Sequence, residues 1–201
     1  MKKGILFGFV LLLLIAPFKS FSQVGLEITG YTGYMLGGKV NFYNGAIKLE
    51  DGQNWGVIVG YEVAPDYLIE VMYNRLVSDL TVRVYADEPY VYTKVATNYI
   101  QVGGFRQFME ETMFRPFVGA GLGATIFSDQ EGNDGDRWRF SFGLSGGLKF
   151  FPIENLGIRL QARLLVPLYF NGIWVGTGGG GVSATSSLVQ GDFTGGIIVA
   201  F

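Results

Sequence analysis

The sequence predicts an all-β fold, an eight-stranded antiparallel up-and-down transmembrane β-barrel, on three observations. The stretch from Gln190 to Phe201 alternates bulky apolar residues with small or polar ones at the period of a strand. The composition is apolar (49%) and aromatic (15%), yet beyond the N-terminal segment no apolar run is long enough for a membrane helix. Eight strand-like stretches follow one another, joined by alternately longer and shorter connections. Because only helices and closed barrels satisfy the backbone inside lipid, this combination favours a barrel.

The N-terminal segment has the features of a secretory signal peptide. Lys2 and Lys3 precede an apolar run from Ile5 to Ala16, which is too short to span a bilayer as a helix. We expect residues 1–22 to be the signal peptide and residues 23–201 the barrel domain, with the mature chain starting at Gln23 or Val24.

Turn residues separate the eight stretches and place them in order. Asn44-Gly45 and Glu50-Asp51-Gly52 mark the first long connection, and a glycine-rich loop is expected over residues 171–187. Short turns are expected at residues 64–66, 109–112 and 152–155. The predicted strands are 26–41, 46–63, 67–85, 90–108, 114–127, 138–151, 156–170 and 190–201. An alternating pattern of three short turns and four longer loops is typical of a barrel with both chain ends on the periplasmic side.

The last predicted strand ends on Phe201. Its edge would be apolar and unpaired, and so prone to aggregation, unless another strand pairs with it. We expect it to pair with the first strand. Its apolar face would carry Phe193, Ile197, Val199 and Phe201.

Alternation also predicts which side chains point into the barrel. An arginine on the lipid face near the midplane costs roughly 2–4 kcal/mol, so Arg159 and Arg163 of the seventh stretch should point inward. Inward cations need inward anions, and the same alternation selects Glu62, Glu70 and Asp192. Eight strands enclose an interior that side chains can fill, so an ionic network is expected there in place of a channel.

Other stretches are less decisive. The faces of the fourth stretch stay unassigned, because neither set of alternating residues is clearly apolar. In the fifth stretch, Gly119, Gly121 and Gly123 share the inward face, which would leave room for Arg159 or Arg163. Aromatic residues near the strand ends suit interfacial girdles: Tyr31, Tyr34, Phe42, Trp55, Tyr67, Tyr90, Phe117, Trp138, Phe151, Tyr169, Phe170 and Phe201.

Composition excludes several classes of function. Removing Lys2, Lys3 and Lys19 with the leader reduces fifteen basic residues to twelve against seventeen acidic ones, so the mature chain carries a net charge of −5 and lacks the basic footprint of a nucleic-acid-binding protein. The absence of Cys and His removes thiolate and imidazole metal ligands and the commonest general base.

Two kinds of motif could indicate a ligand site, but each is better explained as part of a strand or a loop. The glycine-rich segments at 119–124 and 176–181 match a dinucleotide fingerprint, but neither opens a helix as that motif requires. No cofactor is therefore expected. The acidic segment 128–136 has oxygen ligands suited to calcium, but it departs from the EF-hand order and favours a solvated loop.

Several segments together resemble small outer-membrane β-barrel proteins of the OmpA/OmpX-like kind, in the variety common in Bacteroidetes-type bacteria. These segments are residues 26–38, 98–104, 115–123 and 157–163, and Phe201 matches the terminal residue of the signal strand in such barrels. The resemblance implies an outer-membrane location, lipid as the surroundings, and the barrel-assembly machinery as a partner during insertion. The resemblance does not specify an activity. The enzymatic barrels of this membrane depend on His, which this chain lacks. A site built from carboxylates alone would use Glu62, Glu70 or Asp192, but these are better used as inward ion-pair partners, so no enzyme is expected.

Three hypotheses for function remain open. The first is a non-enzymatic barrel with a structural or interaction role in the Gram-negative cell envelope, in contact with other outer-membrane proteins. The second is an accessory subunit of a larger export, uptake or barrel-assembly complex. The third is a narrow pore or carrier for a small solute.

Overall fold

A computed structural model describes residues 25–42, 45–84, 90–109, 111–129, 137–176, 179–185 and 189–201. The predicted signal peptide and most of the acidic segment, residues 130–136, lie outside this part of the chain. Within it, no helix is long and apolar enough to cross a membrane.

Within the described residues, eleven strands form one antiparallel system. Their bounds are β1 Leu26–Leu36, β2 Lys39–Phe42, β3 Gly45–Leu49, β4 Gly52–Ala64, β5 Tyr67–Val84, β6 Tyr90–Gln107, β7 Phe114–Asp129, β8 Arg137–Ile153, β9 Leu156–Gly176, β10 Gly179–Thr185 and β11 Gln190–Ala200. Eight of them, β1, β4, β5, β6, β7, β8, β9 and β11, pair in that order, and β11 pairs with β1. The predicted closed eight-stranded barrel is therefore confirmed, and so is the pairing of its last strand with its first.

The register fixes the stagger of the barrel. Directly paired residues can be followed once around the wall: Leu26, Tyr61, Ile69, Gly104, Ala120, Leu144, Leu164, Gly191 and Leu36. The path returns to β1 ten residues further on, at Leu36 instead of Leu26. A stagger of this size tilts the strands by about 35–45° and sets which side chains meet across the interior.

Two expectations about the loops were wrong. The first two predicted strands are each interrupted, and β2 and β3 form a separate hairpin that pairs with β5. The interruption is held by the Gly37 amide, which donates to Asp51 Oδ1 at 2.7 Å, and by the Leu49 amide, which donates to the Gly38 carbonyl at 2.8 Å. The glycine-rich segment predicted as a loop instead continues β9 to Gly176 and returns as β10. Main-chain pairing, which requires no side chain, overrides the low strand propensity of glycine there.

The two sides of the wall differ as the alternation predicts. Val57, Val59 and Val71 face outward and are exposed, whereas their sequence neighbours Ile58 and Met72 are buried. The exposed apolar side chains form a continuous outer surface suited to hydrocarbon. The faces of the fourth predicted stretch, which were left unassigned, are defined in β6. Thr97, Tyr99 and Gln101 point inward and are buried, and Ile100 and Val102 point outward.

Three of the aromatic residues expected in a girdle lie elsewhere. Tyr34, Trp55, Tyr67 and Trp138 are exposed on the outer wall, but Tyr31, Phe117 and Phe151 are buried. Glycine explains two of these cases, because a Cβ at Gly56 would lie 2.4 Å from the Tyr31 hydroxyl oxygen and one at Gly147 would lie 2.8 Å from the Phe117 ring. Both rings occupy interior space that a larger neighbour would fill.

Candidate functional site: the polar interior of the barrel

A cluster of four charged side chains lies at the periplasmic end of the interior, and we call it the lower ionic cluster. Arg159 donates from Nη1 and Nη2 to the two carboxylate oxygens of Glu70 at 2.7 and 2.8 Å. Lys149 Nζ lies 2.5 Å from Glu27 Oε2 and 4.0 Å from Glu70 Oε1. Two acids and two bases therefore balance within one buried group. Since β5 and β9 are opposite strands of the barrel, the pair between Glu70 and Arg159 spans its full width.

Aromatic rings form the apolar support of this cluster. The Arg159 guanidinium lies 4.2 Å from the centre of the Phe117 ring and 5.8 Å from that of Phe105. Cation–π contact of this kind stabilises a desolvated guanidinium. Phe105 also occupies the space beside Gly119, where a Cβ would lie 2.2 Å from its ring. The room expected there for an arginine is therefore taken by a ring.

A second group, the upper polar cluster, lies further toward the outer side. Arg163 and Asp192 are directly opposite in the register of β9 and β11, on the inward face of both strands. Arg163 Nε donates to Asp192 Oδ1 at 2.9 Å, and Nη2 of the same guanidinium contacts Oδ2. Arg163 also donates to the Tyr31 hydroxyl at 2.8 Å and to Asn74 Oδ1 at 3.1 Å. These contacts join β9 and β11 to β1 and to the opposite strand β5.

Amides and a phenol complete the network above the arginine. Asn54 Nδ2 donates to Asp192 Oδ2 at 2.6 Å, which ties β4 to β11. The Tyr99 hydroxyl donates to Gln190 Oε1 at 2.5 Å, and this bond joins the opposite strands β6 and β11. Leu76 and Leu165 are fully or almost fully buried at this level. Side chains from opposite walls thus meet at three successive levels of the interior.

The space left between the two clusters is small. A cavity of about 10 Å³ is lined by Glu70, Gln101, Ser145 and Gln161, among other residues. This is about the volume that a single water molecule needs. At the levels that they occupy, the lower ionic cluster and the upper polar cluster therefore fill the lumen as a plug.

Four of the five charged residues expected inside the barrel lie in the two clusters, and the fifth does not. Glu70, Arg159, Arg163 and Asp192 are all buried in the two clusters, each at 4% exposure or less. Glu62 is half-buried at the periplasmic end of β4, where its amide donates to the Gly25 carbonyl at 2.8 Å, and it lies in neither cluster. On the closing strand, Phe193 and Ile197 are exposed outward, and Val199 and Phe201 are half-buried near the periplasmic rim.

Sequence reasoning missed part of the network. Neither Lys149 nor Glu27 was selected as an ion-pair partner. The inward amides and phenols were also missed: Tyr31, Asn54, Asn74, Tyr99 and Gln190. Applying the alternation rule to every polar residue, and not only to arginine and glutamate, would have selected most of them.

The carboxylates of the interior are already engaged. Glu70 and Asp192 each accept hydrogen bonds from a guanidinium group, which is always protonated in proteins. Among the described residues, no group of three or more acidic, His or Cys side chains could hold a metal ion.

Comparison with solved structures identifies the fold. The chain superposes on the outer membrane protein OprG from Pseudomonas aeruginosa with a TM-score of 0.64 at 10% identity, covering 89% of this chain and 96% of that one. It is an eight-stranded outer-membrane-type β-barrel. Neisserial surface protein A has a TM-score of 0.59 at 18% identity, with 88% and 97% covered. The outer membrane protein AlkL, solved in lipid bilayers, has a TM-score of 0.52 at 13% identity, with 89% and 90% covered.

The similarity is one of fold, because no protein-family model and no curated protein sequence matches this barrel. The fold and the apolar outer wall together place the barrel in the outer membrane of a Gram-negative envelope.

Proposed function

We propose that this barrel is a non-enzymatic, non-conducting outer-membrane protein with a structural or interaction role in the cell envelope. The observation that carries the proposal is the plug, in which side chains from opposite strands meet at three levels. A path for ions through the lumen would have to break buried charge-assisted hydrogen bonds. The engagement of Glu70 and Asp192 by arginine also leaves neither carboxylate placed to act as a general base.

Conductance in planar lipid bilayers tests the sealed interior. We expect no steady current from the refolded wild-type barrel. Replacing both arginines of the plug, Arg159→Ala with Arg163→Ala, removes the groups that span the lumen and should produce measurable channel events. Arg106→Ala is the matched control, because Arg106 lies on the outer wall over the rings of Tyr67 and Phe108. A steady wild-type current would contradict the proposal and favour a pore or carrier.

An interaction role predicts contacts made from the outer surface of the barrel. Gentle detergent extraction followed by native gel electrophoresis separates a barrel that acts alone from a stable subunit of a larger machine. Migration near the monomer mass supports the first case. Migration at a much larger mass, with the same proteins recovered each time, would favour an accessory subunit.

We also propose that the apolar face of β11 is recognised by the barrel-assembly machinery during insertion. Phe193 and Ile197 are 66% and 62% exposed on the lipid side, and Phe201 lies at the periplasmic rim, where its amide donates to the Leu26 carbonyl at 2.9 Å. Phe201→Ala should lower the yield of the heat-modifiable folded form in the outer membrane. Val189→Ala, at the outer end, is the control and should not. Equal yields for the two variants would exclude a signal at Phe201.

A further inference from the structure

Among the described residues, the lipid-facing wall is more polar on one side than on the other. On β7, β8, β9 and β11 most outward side chains in the outer half are apolar: Leu122, Ala124, Phe140, Phe142, Leu164, Val166 and Phe193. On β1, β4, β5 and β6 polar groups stand at the corresponding level: Thr32, Gln53, Arg75 and Asn98. Polar groups on a hydrocarbon-facing surface are unfavourable unless something satisfies them.

Arg75 is the charged member of this polar side. Its Nη1 donates to Asn98 Oδ1 at 3.1 Å, and the Tyr73 hydroxyl donates to the same oxygen at 3.0 Å. Asn98 is only 8% exposed although it belongs to the outward face of β6, because Arg75 and Tyr73 cover it. Trp55 is paired with Arg75 in the register of β4 and β5, and its ring packs edge-on against Tyr73 at 6.0 Å. The guanidinium is thus held in place from one side.

The charge of Arg75 has no counter-ion within the described residues. No ion pair of a described residue includes Arg75. A guanidinium has five N–H donors, and the bond to Asn98 uses one of them. The remaining donors can bind an anion that approaches from the membrane.

The height of Arg75 indicates which anion is available. Along a strand tilted by 35–45°, Arg75 stands about 20 Å above Tyr67 at the periplasmic end of β5. The apolar band of such a barrel is about 25 Å tall. Arg75 therefore lies near the outer interface, where Trp and Tyr are enriched at the level of lipid headgroups.

We propose that Arg75, positioned by Asn98 and flanked by Tyr73 and Trp55, binds the phosphate of an anionic glycolipid in the outer leaflet. The planar guanidinium fork matches two phosphate oxygens, which is the geometry that lysine cannot reproduce. The flanking rings pack against the sugar and the first methylenes of the acyl chains. The site faces the membrane and is separate from the plug, so it does not depend on whether the lumen conducts.

The test is a lipid titration of the refolded, full-length mature barrel in neutral detergent. The probe is a diphosphorylated glucosamine-based lipid, and its dephosphorylated form is the reference. Binding is followed by native mass spectrometry and by the rise in melting temperature. Wild-type protein should bind the phosphorylated lipid in preference. Arg75→Gln should weaken that binding roughly tenfold or more, since a charge-assisted hydrogen bond is lost.

Two further variants keep the result interpretable. Arg75→Lys retains the charge but loses the fork, so it should bind with intermediate affinity. Arg115→Gln removes a half-buried arginine that stacks on Phe151 at the periplasmic rim, and it should bind as wild type does. Every variant is first shown to be folded by its heat-modifiable gel mobility.

Three outcomes would overturn the proposal. The first is equal binding of the phosphorylated lipid by wild type and by Arg75→Gln. The second is equal binding of the phosphorylated and dephosphorylated lipids by wild type. The third is a rise in melting temperature of the same size with inorganic phosphate alone, which would indicate a site for a soluble anion instead of a lipid.

Discussion

Removal of the carboxylate from the lower ionic cluster is the most direct test of how the interior is held. Glu70→Gln keeps the shape of the side chain but leaves Arg159 and Lys149 buried with the single anion Glu27. At an effective dielectric constant of about 20, the attraction lost at 2.7 Å is on the order of 6 kcal/mol. Part of it is offset, because the carboxylate no longer has to be desolvated. We therefore expect the free energy of unfolding to fall by about 3–5 kcal/mol.

The assay is urea unfolding in lipid vesicles, followed by the fluorescence of the three tryptophans. Glu70→Gln combined with Arg159→Met removes both charges, and Lys149 keeps Glu27 as its partner. Replacing both members of a buried pair is often nearly neutral, so the double variant should recover most of the lost stability. Glu154→Gln, in an exposed turn, is the control and should change stability by less than about 0.5 kcal/mol.

The reasoning would be refuted if Glu70→Gln cost no more than the Glu154 control. In that case water would reach the cluster and screen the charges, and the side chains could not fill the lumen as closely as the plug described above. A double variant as unstable as Glu70→Gln alone would also refute it, because the loss would then come from packing and not from an uncompensated charge.

Two further predictions concern the shape and polarity of the interior. In the same urea assay, Gly56→Ala should lower the free energy of unfolding by about 1–3 kcal/mol, because its Cβ would lie 2.1 Å from the Tyr73 carbonyl oxygen. Gly30→Ala is the control. A Cβ at Gly30 has nothing within 4 Å, so this variant should change the free energy by less than about 0.5 kcal/mol. If the two variants unfold at equal urea concentrations, close packing at Gly56 is not required. Tyr99→Phe should cost about 1–2 kcal/mol, because the buried glutamine on β11 loses its hydrogen-bond donor. Tyr61→Phe, half-exposed on the outer wall, is its control, and equal unfolding of the two phenylalanine variants would argue against the bond.

Much of the fold followed from local signals in the sequence. The bounds of β5, β6 and β8 were predicted to within two residues, since turn residues and period-two alternation both act over a few neighbouring positions. Arg159 and Arg163 were assigned to the interior by the cost of placing a guanidinium in lipid. That argument needs no knowledge of the partner strand.

The features that the sequence did not predict are contacts between residues on different strands of the barrel. The pairing of Lys149 with Glu27 joins strands that are distant in the chain, and the ten-residue stagger decides which of their side chains meet. The inward positions of Tyr31 and Phe117 depend on a missing Cβ on another strand, which no local pattern reveals. The hairpin of β9 and β10 is held by main-chain hydrogen bonds. Glycine residues allow these bonds to form, but a glycine-rich sequence does not predict a strand.

The seam between β1 and β11 has a consequence for the biogenesis of this protein. It joins Glu27 to Ala200, so the ladder that closes the wall has a very large sequence separation. The edge of β1 stays unpaired until β11 has been made, so its amide and carbonyl groups remain available to other strands until then. High contact order of this kind slows spontaneous folding, and long exposure of an apolar edge invites aggregation. The nascent chain should therefore depend on escort proteins between secretion and insertion.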